Sequence, residues 1–201
     1  MKVLKKINKG LILTVIVILA LTIYLANVEK QRKADKTDIK SACEEFIALT
    51  DKYSIWPQEM QKLTEEISEN KIEEYEKEIK TELQKLMIPN EEAVKIQYQV
   101  LISNLEDGNT LSGIRTKQER KITKISSYEF EGNQVTVTFN SKLDTSTKYL
   151  NEDNQEQEKQ NSFDTSNDEI VLQKIDGKWK IVYSNLQYGN NYYYEDAVVM
   201  Y

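Results

Sequence analysis

The chain has no histidine, one cysteine, two prolines and six glycines in 201 residues. Without histidine there is no Ser-His-Asp or Cys-His nucleophile system, no imidazole metal ligand and no imidazole general base. The single cysteine, Cys43, excludes an intramolecular disulfide and a thiolate zinc cluster. It stands at helical spacing with Ile39, Phe46, Leu49, Thr50 and Tyr53, so it reads as a small core hydrophobe. The glycine patterns that cradle phosphates, Gly-x-Gly-x-x-Gly and the loop ending Gly-Lys-Ser/Thr, are missing. No catalytic residue, metal ligand or cofactor is assigned on this basis, and the protein is expected not to be an enzyme.

What the chain does have is one long uncharged run, GLILTVIVILALTIYLANV, over residues 10–28. At about 1.5 Å rise per residue, a helix of that length spans the hydrocarbon of a bilayer. A cleaved signal peptide has a shorter apolar region and small residues before the cut. Here the tolerable cut, after Ala26, puts the bulky Tyr24 at the position that needs a small side chain. An uncleaved single-pass anchor is therefore expected, and Cys43 lies too far beyond the run to carry a lipid. Lys2, Lys5, Lys6 and Lys9 precede it, and Lys30, Arg32, Lys33 and Lys36 follow it. Equal counts leave orientation nearly undecided by charge. The compact first flank, with its α-amino group, favours residues 1–9 in the cytoplasm and the rest outside the cell membrane.

The first 36 residues hold eight basic and two acidic side chains, which leaves 19 and 31 beyond them and a net charge of −12. Such a surface repels phosphate backbones, and no basic stripe offsets it, so nucleic acid is not an expected partner. After a basic linker at 29–40, residues 41–186 suit one domain, with a Tyr-rich tail at 187–201. An exported domain with one cysteine, rich in Lys, Asn, Ile and Tyr, fits a Gram-positive cell surface.

Within the domain, helical signals come first. Apolar residues recur at three and four from Asp35 to Tyr53, giving a helix that continues from the linker. Ser54 and Pro57 mark a second helix carrying Met60, Leu63 and Ile67. A third carries Ile72, Tyr75, Ile79, Leu83 and Leu86 and ends before Pro89. Its Glu and Lys pairs, such as Glu76 with Lys80, are solvated helix support and not a carboxylate site. Residues 90–108 satisfy two periods. Val94, Ile96, Tyr98, Val100 and Ile102 alternate as in a strand, yet Asn90 is a good cap, Glu91 and Glu92 suit a first turn, and Asp107-Gly108 suits an end. A helix is the reading adopted, with an edge strand as the alternative.

Strand signals follow. Residues 121–130 and 134–139 flank Gly132-Asn133, and Val135, Val137 and Phe139 share a face. A further strand is expected at 142–150, then a long loop at 151–168. Residues 170–175 and 178–184 then pair about Asp176-Gly177, with Trp179, Ile181 and Tyr183 on one face.

Helices followed by an antiparallel sheet that closes on LQKIDGKWKI (residues 172–181) resemble the nuclear-transport-factor-two-like, or cystatin-like, cone family. The resemblance implies an α+β fold in which helices pack on a curved antiparallel sheet. Behind a single N-terminal anchor, such a domain resembles bacterial bitopic envelope proteins: conjugation and type IV secretion components, stalk proteins, and teicoplanin-resistance-associated membrane proteins. The resemblance implies a non-catalytic interaction or assembly domain whose partners are the membrane and other envelope proteins or further copies of itself. The alternative is a ligand-binding or sensor domain, with a small molecule or wall glycan in the cone pocket.

Two segments offer binding chemistry. In the acidic stretch 151–169, Asp164, Ser166 and Asp168 alternate as calcium ligands do, but the turn glycine and final Glu of an EF-hand are missing, so a solvated loop is expected. In the tail, Tyr188 and Tyr192 to Tyr194 can stack on a sugar or partner, while Ala197, Val198 and Val199 favour folding back on the sheet. No ligand-binding residue is assigned.

Overall fold

The computed structural model describes residues 9–63, 67–110 and 113–187; the Tyr-rich tail from Tyr188 lies outside them. The first element, α1 (Lys9–Lys52), is one helix of 44 residues, so the linker expected at 29–40 is helical. The chain divides into two compact units between Lys40 and Ser41.

In the N-terminal unit the apolar side chains face outward, from Leu13, 64% exposed, to Leu25, 62% exposed. Burying such a side chain is worth about 1.5–3 kcal/mol relative to leaving it in water, so this surface is compatible with an apolar surround. Among the described residues, α1 is the one helix long and apolar enough to cross a membrane.

The second unit is α+β, as the sequence indicates. The end of α1 is followed by a 3-10 turn at Gln58–Met60, then α2 (Glu69–Leu86) and α3 (Glu91–Asp107). Five antiparallel strands run in sequence order: β1 (Asn109–Thr110), β2 (Gly113–Glu131), β3 (Gln134–Leu150), β4 (Glu156–Ile175) and β5 (Lys178–Asn185). Three register shifts between β2 and β3, and one between β3 and β4, bend the long strands into a curved sheet.

The core is built from the periodicities noted above. Ile79 and Leu83 of α2 and Val94, Leu101 and Leu105 of α3 are buried together with Val135, Val137 and Phe139 of β3. Cross-strand pairs Val135↔Leu172, Val137↔Ile170 and Leu172↔Ile181 extend this layer into β4 and β5. In α3 the helical period prevails over the alternating one: Ile96 is left 40% exposed while Val94, Leu101 and Leu105 go inside. The Asn90 side chain accepts hydrogen bonds from the Glu92 and Ala93 backbone N–H groups, as its capping role requires. Both expected hairpin turns form, with Gly132 at φ 59°, Asp176 at φ 50° and Gly177 at φ 80°.

Three expectations are corrected. No helix starts at Ser54. Pro57 adopts an extended ψ of 148°, Gln61 donates from Nε2 to the Trp56 carbonyl, and Trp56 packs 5.6 Å from Tyr75, so tertiary contacts claim the segment. The loop expected at 151–168 is mostly strand. The turn spans only 151–155, where Asn151 Oδ1 accepts from the N–H groups of Asp153 and Gln155, and β4 then pairs with β3 from Glu156 onward. The strands expected at 134–139 and 142–150 are likewise one strand, interrupted by the register shift between Phe139 and Ser141.

Candidate functional site

The most concentrated chemistry lies inside the α+β unit, where the sheet's register brings distant polar residues together. Arg120 stands on β2, Ser141 on β3, and Thr165 and Asp168 on β4. Pairing of Ser141 with Thr165 and of Phe139 with Asp168 sets these side chains side by side. Arg120 Nη1 lies 3.0 Å from Asp168 Oδ2, and both side chains are fully buried. The same carboxylate oxygen accepts from Ser141 Oγ and Thr165 Oγ1, each at 2.5 Å. Asp168 Oδ1 accepts from the Gln187 N–H at 2.8 Å, while Arg120 Nη2 donates to the Gln187 carbonyl. Burying two charges is costly unless hydrogen bonds support them, and here Ser141, Thr165 and the Gln187 backbone do so through both carboxylate oxygens and both Nη atoms.

A second carboxylate extends the network toward the helices. Asp51, on the last turn of α1, accepts from the Arg120 backbone N–H at 2.5 Å and from Gln118 Nε2 at 3.1 Å. Burial raises its pKa above the ordinary carboxylate value, and the Arg120 N–H and Gln118 bonds oppose that rise. Gln118 Nε2 also donates to Ser54 Oγ, which receives Asn104 Nδ2 at 2.5 Å and donates to the Thr50 carbonyl. Arg115 Nη1 closes the chain, donating to Asn104 Oδ1 at 3.1 Å and Gln118 Oε1 at 2.8 Å. Gly108 permits this approach, since a Cβ there would meet the Arg115 guanidinium carbon at 2.6 Å.

The network therefore runs from Arg115 to Gln187 through α1, α3 and three strands. Its carboxylates are engaged by internal donors. Two clefts open on the outer reach of the sheet, and Arg115, at the end of the network, lines one of them. One, of about 290 Å³, is lined by Asp107, Arg115, Thr147, Tyr149 and Lys159; the other, of about 360 Å³, by Lys117, Asp144, Ser146, Gln160 and Ser162. Arg120, Asp168 and Asp51 line neither.

The residues singled out from sequence fall differently. Asp164 and Ser166 are exposed on β4, whereas Asp168 is buried against Arg120, so the three do not converge on one point. Cys43 is buried, and its thiol pKa is pushed up to about 12 by burial and by the nearby Glu44, which suits a core residue. The Glu- and Lys-rich face of α2 is mostly solvated. Glu78 there accepts from Tyr53 Oη at 2.6 Å and pairs with Lys52 at 3.1 Å, tying α2 to the end of α1. Sequence reasoning missed Arg120, Asp51, Asn104 and Gln118. Arg120 sits in the charged run Lys117 to Lys121, where no local signal separates the one buried cation from its solvated neighbours.

No family model matches the chain, and neither a curated protein nor a solved structure shows significant similarity to it.

Proposed function

We propose that this protein is a membrane-tethered interaction or assembly module of the bacterial cell envelope, of Gram-positive type, and that it performs no catalysis. In this reading α1 crosses the membrane once with residues 1–9 in the cytoplasm, and the α+β unit stands outside as a nuclear-transport-factor-two-like cone. The order of elements and the curvature of the sheet support the cone. The outward-facing apolar side chains of residues 13–25 support the anchor.

One observation carries the functional half: the buried polar groups inside the α+β unit, Arg120, Asp168 and Asp51, are engaged by internal partners, beside an apolar core of Ile79, Leu83, Val137 and Phe139. A small molecule needs a cavity with a few convergent polar groups, and a general acid or base needs a lone pair or proton turned toward substrate. Here those groups bond one another. Interaction through the surface is therefore favoured over a ligand held in the cone pocket.

Photo-crosslinking in cells tests this reading. Cross-linkers placed at exposed positions of the α+β unit should trap the same envelope protein, or another copy of the chain, from several neighbouring sites. Loss of the protein from the membrane fraction at alkaline pH, or cross-links only to cytosolic proteins, would overturn it.

A further inference from the structure

We propose that a basic stripe on α1, formed by Arg32, Lys33, Lys36 and Lys40, binds the phosphodiester headgroups of anionic lipids in the leaflet at the C-terminal end of the apolar run. This rests on the single-pass reading above and gives the anchor a lipid preference. All four residues belong to the N-terminal unit, and all four are exposed. At 3.6 residues per turn they fall within an arc of about 100° on one face of the helix. Glu29 is the one acid in that arc. It lies 3.7 Å from Lys33, in an exposed pair of the kind that contributes little and is screened by salt. Asp35 and Asp38 fall outside the arc.

Charge alone would suit any polyanion, and the geometry of the helix selects lipid. α1 is unbroken from the apolar run into the stripe, so the depth of each residue is fixed. Val28 ends the uncharged run. At 1.5 Å rise per residue Arg32 stands about 6 Å beyond it and Lys36 about 12 Å. The headgroup layer of each leaflet is about 5–7 Å thick. Arg32 and Lys33 therefore stand at its outer boundary, and Lys36 lies within a Debye length of it, about 10 Å at 0.1 M salt.

Direction adds to depth. Every Cα–Cβ bond of an α-helix tilts toward the helix N-terminus. In a segment that follows a span, that tilt leans long side chains back toward the bilayer, as snorkelling requires. In a segment that precedes a span it leans them away, so equal numbers of basic residues on two flanks are not equivalent in their reach for phosphate. The planar fork of the Arg32 guanidinium also matches phosphate oxygens in pairs. The rival occupant is the acidic remainder of the chain, net −12 beyond residue 36. Its carboxylates are spread over a solvated surface, whereas headgroup phosphates form a continuous layer of charge at the level where the stripe begins.

The test reconstitutes the full chain in phosphatidylcholine bilayers carrying a trace of spin-labelled phosphatidylglycerol or spin-labelled phosphatidylcholine. Electron paramagnetic resonance separates lipid immobilised at the protein from bulk lipid and gives the ratio of the two association constants. At low salt phosphatidylglycerol should associate about threefold more strongly or better, and the ratio should fall toward unity at about 1 M NaCl, where the screening length is about 3 Å. The variant Arg32→Gln/Lys33→Gln/Lys36→Gln/Lys40→Gln, altered at exposed positions with a residue that favours helix, should lose most of the preference. The variant Lys2→Gln/Lys5→Gln/Lys6→Gln/Lys9→Gln should keep most of it. Salt titration of the unaltered chain keeps the test independent of how the variants fold. The proposal fails if the unaltered chain shows no preference, or if the preference persists at high salt. It also fails if the first variant keeps the preference or the second abolishes it. Alkaline extraction of the same vesicles separates this from the anchor itself. A chain that leaves the bilayer overturns the single-pass reading and this proposal with it, whereas a chain that stays inserted without preferring phosphatidylglycerol overturns this proposal alone.

Discussion

Removing one member of the buried Arg120–Asp168 pair should cost far more than removing both. In Arg120→Met the Asp168 carboxylate keeps three donors, Ser141, Thr165 and the Gln187 N–H, so the loss should fall near the lower bound for a broken buried pair, about 3 kcal/mol. In Asp168→Leu the guanidinium stays buried and loses its carboxylate partner, keeping the Ser141 and Thr165 hydroxyls and the Gln187 carbonyl as acceptors, and the loss should approach the upper bound, about 5 kcal/mol. The double variant Arg120→Met/Asp168→Leu removes both charges. Ser141 and Thr165 are 2.7 Å apart and can bond each other, so the groups that lose partners are chiefly the Gln187 N–H and carbonyl, at about 1–3 kcal/mol. Urea unfolding of the full chain in detergent, followed by the fluorescence of Trp56 and Trp179, measures all three. The double variant should be more stable than either single one. Single losses below about 1 kcal/mol, or a double loss equal to the sum of the singles, would refute the view that the network holds the sheet interior together.

Other expectations follow from single groups. Asp51 has a raised pKa in the folded state, so folding favours its protonated form, and this group's contribution to stability declines as pH rises from the unfolded carboxylate pKa through the folded one. The difference in urea midpoint between Asp51→Asn and the unaltered protein should therefore move in the variant's favour from pH 4 to pH 7; a constant difference would contradict the assignment. Asn90→Ala removes the acceptor for two N–H groups at the start of α3 and should cost about 1 kcal/mol by the same assay. Gly177→Ala forces a side chain into φ 80° with no steric neighbour within 4 Å, so the loss, about 1–2 kcal/mol, should come from backbone strain alone and be matched by Gly177→Ser.

Where a single residue dictates geometry, the sequence was informative. Asp176-Gly177 announced its turn because few residues tolerate a left-handed backbone, and Asn90 announced α3 because its side chain bonds its own helix. The segment after Ser54 misled because three apolar residues at helical spacing also suit a chain pinned by Trp56 and Met60 against its neighbours. Residues 156–168 read as a loop because a strand solvated on most of its surface has no apolar alternation to betray it. The buried network was illegible for a different reason. Arg120 and Asp168 are 48 residues apart, and only the β2–β3–β4 register brings them within 3.0 Å.

The central claim is an acidic α+β unit held outside the cell by one uncleaved helix. Proteinase K added to intact cells, with the chain detected by tags at both ends, tests it most directly. The expected result is loss of the C-terminal tag with retention of a small membrane-bound fragment bearing the N-terminal tag. Digestion of the α+β unit only after lysis, or release of that unit intact into the medium by signal cleavage, would contradict it.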